Sequence, residues 1–469
     1  MAQDDKFRLG EIPRSDYFIV HADQATVFDL ARLLTSKNVK RLRFIDCGEG
    51  IWFRNYSFKR RWIIFVSVVA QKVFLLLKWP SKLIGFWIEW WLNLFRINGG
   101  LLQFCIKILT GRSLKCPNKH SPDFVTLIGN LDHRVELRKS RYPSVSHLCV
   151  MASKIAYENQ AFVHKIVTKK WKMVHLAFHN FYNAYTKDYT TQAFICYNKK
   201  AHPSKLIAVT FRGTSPFDAD DWRTDIDLSW YEFQHIGKVH AGFLNSLGFP
   251  GTDSWPKHID PDHPLSSSAY YTIREKLRDN LKRDEGAKFI LTGHSMGGAL
   301  AVLFAALLVI HEDEWMLERL EGVYTFGQPR VGDWRFGEYM NHKMMSLGVK
   351  YWRYVYCNDM VSRIPCDDKS LFFRHFGQCF YYNSLYQGKE MEEAPNKNYF
   401  SPVCFIPMFL NAIWELVRGF ILPCWKGCEY KEGWFMVLYR MSGLILPGFS
   451  SHSARDYINS VRLSHHEAN

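Results

Sequence analysis

The stretch that most constrains this chain runs from Phe289 to Ile310. A short apolar, β-rich run, Phe289-Ile-Leu-Thr292, enters Gly293-His-Ser-Met-Gly-Gly298 and leaves as Gly298–Ile310, apolar on every side. A helix without a polar face has to lie buried beneath another layer. Glycines flanking Ser295 relieve crowding at a sharp turn between strand and helix, which lifts the hydroxyl above a sheet. The pentapeptide G-x-S-x-G alone is weak: 29 glycines in 469 residues would produce it by chance in about one such chain in ten. Its setting between a strand and a buried helix is what gives it weight.

Three further segments read as buried strands: Leu206-Ile-Ala-Val-Thr-Phe211, Val323-Tyr-Thr-Phe326 and Tyr351-Trp-Arg-Tyr-Val-Tyr356. Ala269–Lys282, amphipathic with a helical period, lies between the first strand and the serine strand. Strands alternating with helices predict an α/β fold with a mostly parallel sheet, whose chemistry gathers at the carboxyl ends of the strands.

A serine nucleophile needs a base, and the base needs an orienting acid. On a strand–turn–helix serine the chain order is serine, acid, histidine. Asp359, in Cys357-Asn-Asp-Met-Val361, follows the fourth strand at the right end; Asp333 is the rival, and Asp367 and Asp368 fall in a polar loop. Downstream histidines are His375, His452, His465 and His466, the last two in a polar tail. His375 is crowded by Phe372, Phe373 and Phe376, whereas His452 occupies a loop feeding a short helix, and spacing favours His452. For the oxyanion, one donor is the N–H after the nucleophile, on Met296; Phe211-Arg-Gly-Thr214 supplies the other, through the Thr214 N–H and hydroxyl.

The charge is unevenly placed. The chain carries 60 Lys+Arg against 45 Asp+Glu, a formal +15, and residues 1–120 alone hold 20 basic and 9 acidic side chains. A nucleic-acid enzyme would carry its surplus around the working site, so this asymmetry argues for an accessory basic region and against a nucleic-acid partner. Six tryptophans fall from Trp52 to Trp91, and two apolar blocks stand out, Trp62–Leu77 and Leu83–Leu109. Lys72 interrupts the first block, and Glu89 and Arg96 the second, so neither offers an uncharged span. Polar or small residues at Lys82, Gly85, Glu89, Asn93, Arg96, Gly100, Gln103 and Lys107 trace one narrow helical stripe, with a break expected at Asn98-Gly99. A broad apolar face with tryptophans and lysines describes a helix lying in a lipid surface, and Pro80 predicts that the blocks fold back as a shallow hairpin. The first twenty residues lack a secretory apolar core, and the odd cysteine count suits reduced, cytosol-facing thiols. Cys424 and Cys428 have no second pair at ligand spacing, so no metal or cofactor is expected.

At this point the chain resembles the class 3 lipase family, the fungal-lipase-like branch of α/β-hydrolases. The resemblance rests on Val209–Thr214, Trp222 with Asp225, Val239–Phe243, Gly293–Leu300, Thr325–Asp333 and Asn358–Pro365. It implies an α/β-hydrolase fold with Ser295 as nucleophile, Asp359 as acid, His452 as base, Thr214 and Met296 as oxyanion donors, and a structural role for Asp333. With Met151–Asn159, Phe217–Trp222 and Pro447–Leu463, the architecture looks like the plant oil-body group of triacylglycerol lipases, which also carries a hydrophobic N-terminal extension. Ser362 and Met296 depart from the commonest residues of the family without removing a catalytic atom. The resemblance implies hydrolysis of long-chain acylglycerols at a lipid-droplet or membrane surface, without a cofactor. A phospholipase A1 or galactolipase on the same scaffold is the nearer alternative, and a non-catalytic lipid-surface protein the more distant one. Residues 215–233 are the expected lid, with Trp222 and Trp230 over the pocket or reaching into lipid; residues 402–422 form an apolar insertion, which is a lipid-facing flap, an acyl-chain wall or an inserted core helix. The expected organisation is a segment 1–50, a lipid-associating helical region 51–120 and a catalytic body 121–469.

Overall fold

The computed structural model describes residues 11–36, 42–48, 57–137, 144–183, 186–201, 204–249, 251, 254–260, 262–365, 373–397 and 402–464. Trp52, Asp367, Asp368, His465, His466 and the side chain of Cys428 lie outside the described residues.

In chain order the strands are β1 (Glu11–Val20), β2 (Ile45–Cys47), β3 (Val174–Asn183), β4 (Asp188–Asn198), β5 (Leu206–Phe211), β6 (Trp230–Phe233) and β7 (Gly237–His240). They continue as β8 (Ser254–Pro256), β9 (Lys288–His294), β10 (Leu320–Phe326), β11 (Lys350–Tyr356), β12 (Gln378–Tyr382) and β13 (Gly388–Met391). The helices that frame the site are α1 (Phe58–Ile97), α2 (Leu101–Leu109), α3 (Val145–Ile155), α4 (Ala219–Ile226) and α5 (Ala269–Arg283). They are followed by α6 (Met296–Ile310), α7 (Trp334–Ser346), α8 (Pro402–Lys426), α9 (Trp434–Ile445) and α10 (Ala454–Leu463).

The central sheet has the order β13-β12-β11-β10-β9-β5-β4-β3. Its middle strands, β5, β9, β10, β11 and β12, are parallel, and antiparallel partners close both ends. All four strands read from sequence lie within this parallel block. A parallel strand is covered on both faces, so it reads as an unbroken apolar run rather than an alternation. Helices α5, α6 and α7 pack one face, and α3 and α10 the other, each over its own apolar core. Fourteen of the fifteen residues of α6 are buried, as its all-apolar sequence requires.

A second, antiparallel sheet runs β2-β1-β6-β7, with β8 paired to β1. Strand β1 pairs with β6 from Arg14 opposite Phe233 to Phe18 opposite Trp230. Within the expected N-terminal segment, Glu11–Val20 thus shares a sheet with a strand more than two hundred residues downstream.

The two N-terminal apolar blocks do not form a hairpin. Helix α1 continues through Pro80 for 40 residues, about 60 Å at 1.5 Å per residue. Proline inside a helix costs about 3 kcal/mol; contacts on either side hold the helix direction here. Lys78 Nζ lies 2.8 Å from Asp220 Oδ2, Lys82 Nζ 2.8 Å from Asp188 Oδ2, and Gly85 rests against Phe217. The helix ends where expected: Asn98 caps it, and Gly99 and Gly100 have φ 92° and 93°.

The polar stripe of α1 faces the protein. Asn93 is fully buried, donating to Val125 O at 2.7 Å and accepting from Val125 N at 2.9 Å. Glu89 accepts from Leu127 N at 2.9 Å, and Arg61 donates to the carbonyls of Leu33, Leu34 and Ser36. The apolar side faces outward, with Leu76 and Trp79 79% and 78% exposed and Leu83 and Trp87 also exposed. This inverts the ordinary surface helix, whose apolar stripe turns to the core.

Candidate active site

The pairing register builds the site. Phe211 of β5 lies opposite Gly293 of β9, His294 opposite Phe326 of β10, and Phe326 opposite Tyr354 of β11. The carboxyl ends of four strands thus share one edge, and Thr214, Ser295, Gly327 and Asp359 follow them there.

Ser295 joins β9 to α6 with φ 59° and ψ −134°. A non-glycine residue in such a conformation stores about 1–3 kcal/mol of strain. Its surroundings enforce the geometry: the Ser295 N–H donates to Phe326 O at 2.8 Å, and α6 is buried behind it. The loop after β5 presses on the same residue, since a Cβ on Gly213 would stand 2.9 Å from Ser295 Cβ and 2.1 Å from the Tyr157 hydroxyl oxygen. Only glycine allows that approach.

Asp359 is fully buried, and its carboxyl accepts three hydrogen bonds. Its Oδ2 meets His452 Nδ1 at 2.8 Å and the Tyr457 hydroxyl, and its Oδ1 accepts from Val361 N at 2.8 Å. A carboxylate can only accept, so the neutral His452 ring carries its proton on Nδ1 and leaves Nε2 as an acceptor. That Nε2 is buried and has no hydrogen-bond partner among the described residues. Gly327, at φ 61°, lies against the pair: a Cβ there would be 2.7 Å from Asp359 Oδ2 and 2.9 Å from His452 Cε1.

His294, the residue before the serine, fixes the His452 backbone. The two rings stack at 4.6 Å, and His294 Nε2 meets His452 O at 3.1 Å. Burial pushes His294 well below the ordinary imidazole range. A neutral ring donating to a carbonyl through Nε2 must accept through Nδ1, which the Tyr157 hydroxyl satisfies at 2.8 Å.

Of the expected oxyanion donors, the Met296 N–H is the first of helix α6, outside the helix's own hydrogen-bond ladder. The Thr214 hydroxyl, expected to face the site, instead donates to Asp225 Oδ2 at 2.6 Å. A hydroxyl has one proton to give, so Thr214 is left with its main-chain N–H for the site.

The two tryptophans expected over the pocket separate. Trp222 lies on α4, stacked on Phe74 of α1 at 6.4 Å and in tilted contact with Phe449 of the His452 loop at 6.2 Å. Trp230 is instead 3% exposed in β6, stacked on Phe18 with Lys238 Nζ 3.7 Å from its ring centre. The second half of the expected lid, residues 227–233, is tied into the antiparallel sheet. Ser295 is 2% exposed, so the site is shut.

Two buried carboxyls lie on α4. Burial pushes Asp225 up to about 8, partly offset by Thr214, and pushes Asp221 up to about 7 against the opposing pull of Arg212.

The rival residues have other partners. His375 Nε2 meets Ser362 O at 2.7 Å, and Asp333 caps α7 by accepting from Phe336 N at 2.9 Å. Sequence reasoning passed over Tyr457, His294 and Phe449. A tyrosine five residues after His452, at the start of a helix, was the available sign of the first; His294 occupied an unrestricted position of the serine motif.

The class 3 lipase family model matches residues 208–369. A triacylglycerol lipase OBL1 of Nicotiana tabacum is 40% identical, covering 86% of this chain and 83% of its own length. A triacylglycerol lipase OBL1 of Arabidopsis thaliana is 38% identical over 96% of this chain and 95% of its own. Among solved structures, lipase II of Rhizopus niveus aligns at 24% identity and TM-score 0.36, covering 50% of this chain and 78% of that one. With relatives aligned along nearly its whole length, and the family model running from strand β5 past the Asp359 loop, the chain belongs to the class 3 lipases.

Proposed function

We propose that this chain is a triacylglycerol lipase acting at a lipid-droplet or membrane surface through Ser295, His452 and Asp359. The carrying observation is the buried Asp359–His452 pair, with its unpartnered Nε2 at the edge that holds the strained Ser295. His452 Nε2 takes the serine proton as Oγ attacks the ester carbonyl, and Asp359 stabilises the imidazolium through Nδ1. The N–H groups of Met296 and Thr214 meet the oxyanion. His452 then protonates the leaving alkoxide, and the same base activates water to release the fatty acid. Emulsions of triacylglycerol, diacylglycerol, phosphatidylcholine and galactolipid test the reading. The highest kcat/KM on triacylglycerol supports it, and faster turnover of phospholipid or galactolipid reassigns the substrate. Absence of fatty-acid release, together with no labelling of Ser295 by a fluorophosphonate, would sink it.

The lipid surface is supported by α1, whose charged stripe is spent on the body and whose tryptophans and leucines face out. By length and composition α1 could cross a membrane. Its bonded stripe argues instead for a helix lying along the surface, as a span would strip Glu89, Asn93 and Lys82 of their partners. Deleting the helix would also tear out buried Asn93, so surface substitutions are the cleaner test. Leu76→Glu with Trp79→Glu and Leu83→Glu should weaken flotation with lipid vesicles by at least about tenfold, since each apolar side chain contributes about 1.5–3 kcal/mol when fully buried. Unchanged flotation would remove α1 from the docking surface.

Helix α4 acts as the lid in this reading. Beyond the Phe74–Trp222 stack, α1 holds it through Lys78 on Asp220 and through the Ser67 hydroxyl on Ile226 O at 2.7 Å. Asp221 and Asp225 make the closure pH-sensitive. In an open, solvated lid each carboxyl loses its proton near pH 4, about its ordinary value. In the closed lid the protons are held until about 7 and about 8. The closed form therefore binds more protons across that window, and its stability declines as pH rises through it. Hydrogen exchange of residues 219–226, corrected for intrinsic rates, should increase between about pH 5 and about pH 8. Asp221→Asn with Asp225→Asn should flatten the rise; a flat wild-type profile contradicts the idea.

A further inference from the structure

Between Pro402 and Trp425 the only Asp, Glu, Lys or Arg side chains are Glu415 and Arg418, and α9 contains only Arg440. On a helix packed at a water-facing surface, such residues would face out. Here all three are at most 1% exposed, while Val403, Ile406, Leu410 and Phe420 of α8 and Trp434 and Ile445 of α9 stand 60–87% exposed. The inward face is held by charge. Arg440 bonds Asp456 at 2.7 and 2.8 Å and Glu432 at 2.7 Å, and Arg418 bonds Asp456 at 2.9 Å. Glu415 lies 3.3 Å from Arg440 and accepts from the Ser451 hydroxyl at 3.1 Å. By length and composition α8 could cross a bilayer; crossing would strip Glu415 and Arg418 of these partners.

Resting on the lipase reading above, we infer that the α8–α9 pair is a second docking surface, which lies in the acyl layer of an uncharged lipid–water interface without crossing it. The occupant is the phospholipid-coated triacylglycerol surface rather than a protein. No exposed ionised side chain lies on α8 before Lys426 or anywhere on α9, so the face has no charge pattern to select or orient a protein partner. It is also continuous with the site. Ser451, bonded to Glu415, precedes His452, and Tyr439 of α9 packs on Phe449 at 5.8 Å. Phe449 meets Trp222 of the lid, and Trp222 meets Phe74 of α1. Apolar surfaces thus flank the closed lid on two sides, and docking through both sets the edge bearing Ser295 against the layer that holds the ester.

The test is a variant carrying Ile406→Ser, Leu410→Ser, Phe420→Ser and Ile445→Ser. Flotation on phosphatidylcholine-coated triolein emulsion should weaken at least about tenfold, while turnover of dissolved p-nitrophenyl butyrate stays at the wild-type rate. Unchanged flotation overturns the proposal. So does loss of a wild-type dimer in light scattering with flotation retained, which would assign the face to a second copy. Should the variant fail to fold, Ile406→Cys carrying an environment-sensitive fluorophore decides: a blue shift on the emulsion supports docking, and no shift overturns it. A wild type that floats but cleaves neither the dissolved ester nor the emulsion would defeat the lipase reading and leave the docking result standing.

Discussion

Ser295→Ala is expected to lower kcat on emulsified triacylglycerol by about 10⁵-fold or more with the fold intact. Because Ser295 sits at φ 59°, Ser295→Gly should be equally inactive yet more stable, by about 1 kcal/mol of released strain. A Ser295→Gly protein that melts below wild type would contradict the strained turn. His452→Ala removes the base, and Asp359→Asn should cost about 10⁴-fold. The amide is a poor replacement here because Asp359 meets donors on both oxygens: His452 and Tyr457 on Oδ2, and Val361 N on Oδ1. Whichever way the amide turns, its NH₂ confronts a donor. His375→Ala serves as the control. Among the described residues its one side-chain hydrogen bond is to Ser362 O, and the change should cost about 1 kcal/mol of stability with activity near wild type. If His375→Ala were the inactive variant and His452→Ala the active one, the base assignment would be wrong.

The parts of the molecule readable from sequence are those whose environment is uniform. Leu206–Phe211 and the cores of β9, β10 and β11 are covered on both faces and read as plain apolar runs. Strands β1, β2, β6, β7 and β8 are short or irregular and owe their existence to partners distant in sequence, such as Phe18 opposite Trp230. No local pattern could disclose them, and Trp230 was consequently assigned to the lid. The positions of Ser295 and Asp359 followed from strand ends. That of His452 needed a choice between histidines, which the structure bears on through partners far away in the chain. The stripe on α1 was legible as a stripe, but periodicity alone does not say which side meets the protein. Pro80 misled because proline's local cost can be met by contacts such as Lys78–Asp220 and Lys82–Asp188. The Thr214 hydroxyl was assigned to the oxyanion because its claim by Asp225, eleven residues on, is a tertiary fact.

Asp456→Ala is expected to be the most destabilising single change outside the triad. The carboxyl is fully buried between Arg440 and Arg418 and also accepts from the Tyr386 hydroxyl at 2.7 Å. Burial would raise its pKa, but the two guanidiniums outweigh that and hold it below the ordinary carboxylate range. Removing it leaves two buried cations sharing only Glu415 and Glu432, a loss of about 3–5 kcal/mol. In a chain of this size, whose unfolding entropy is about 1 kcal/mol/K, that corresponds to a melting temperature lower by about 3–5 °C. Asp456 is four residues beyond His452 on helix α10, and Ser451, on its other side, is tied to Glu415 of the same cluster. Loosening the cluster should therefore displace the imidazole before it unfolds the sheet, and a shift of about 1 Å is enough to cost about a hundredfold in kcat. Calorimetry alongside activity below the transition separates the two effects. Because breaking a buried pair is costly while replacing the whole set is often not, exchanging Glu415, Arg418, Glu432, Arg440 and Asp456 together for uncharged side chains of similar size should recover most of the stability. An Asp456→Ala protein that melts with the wild type would show that the charged cluster does not hold the His452 loop in place.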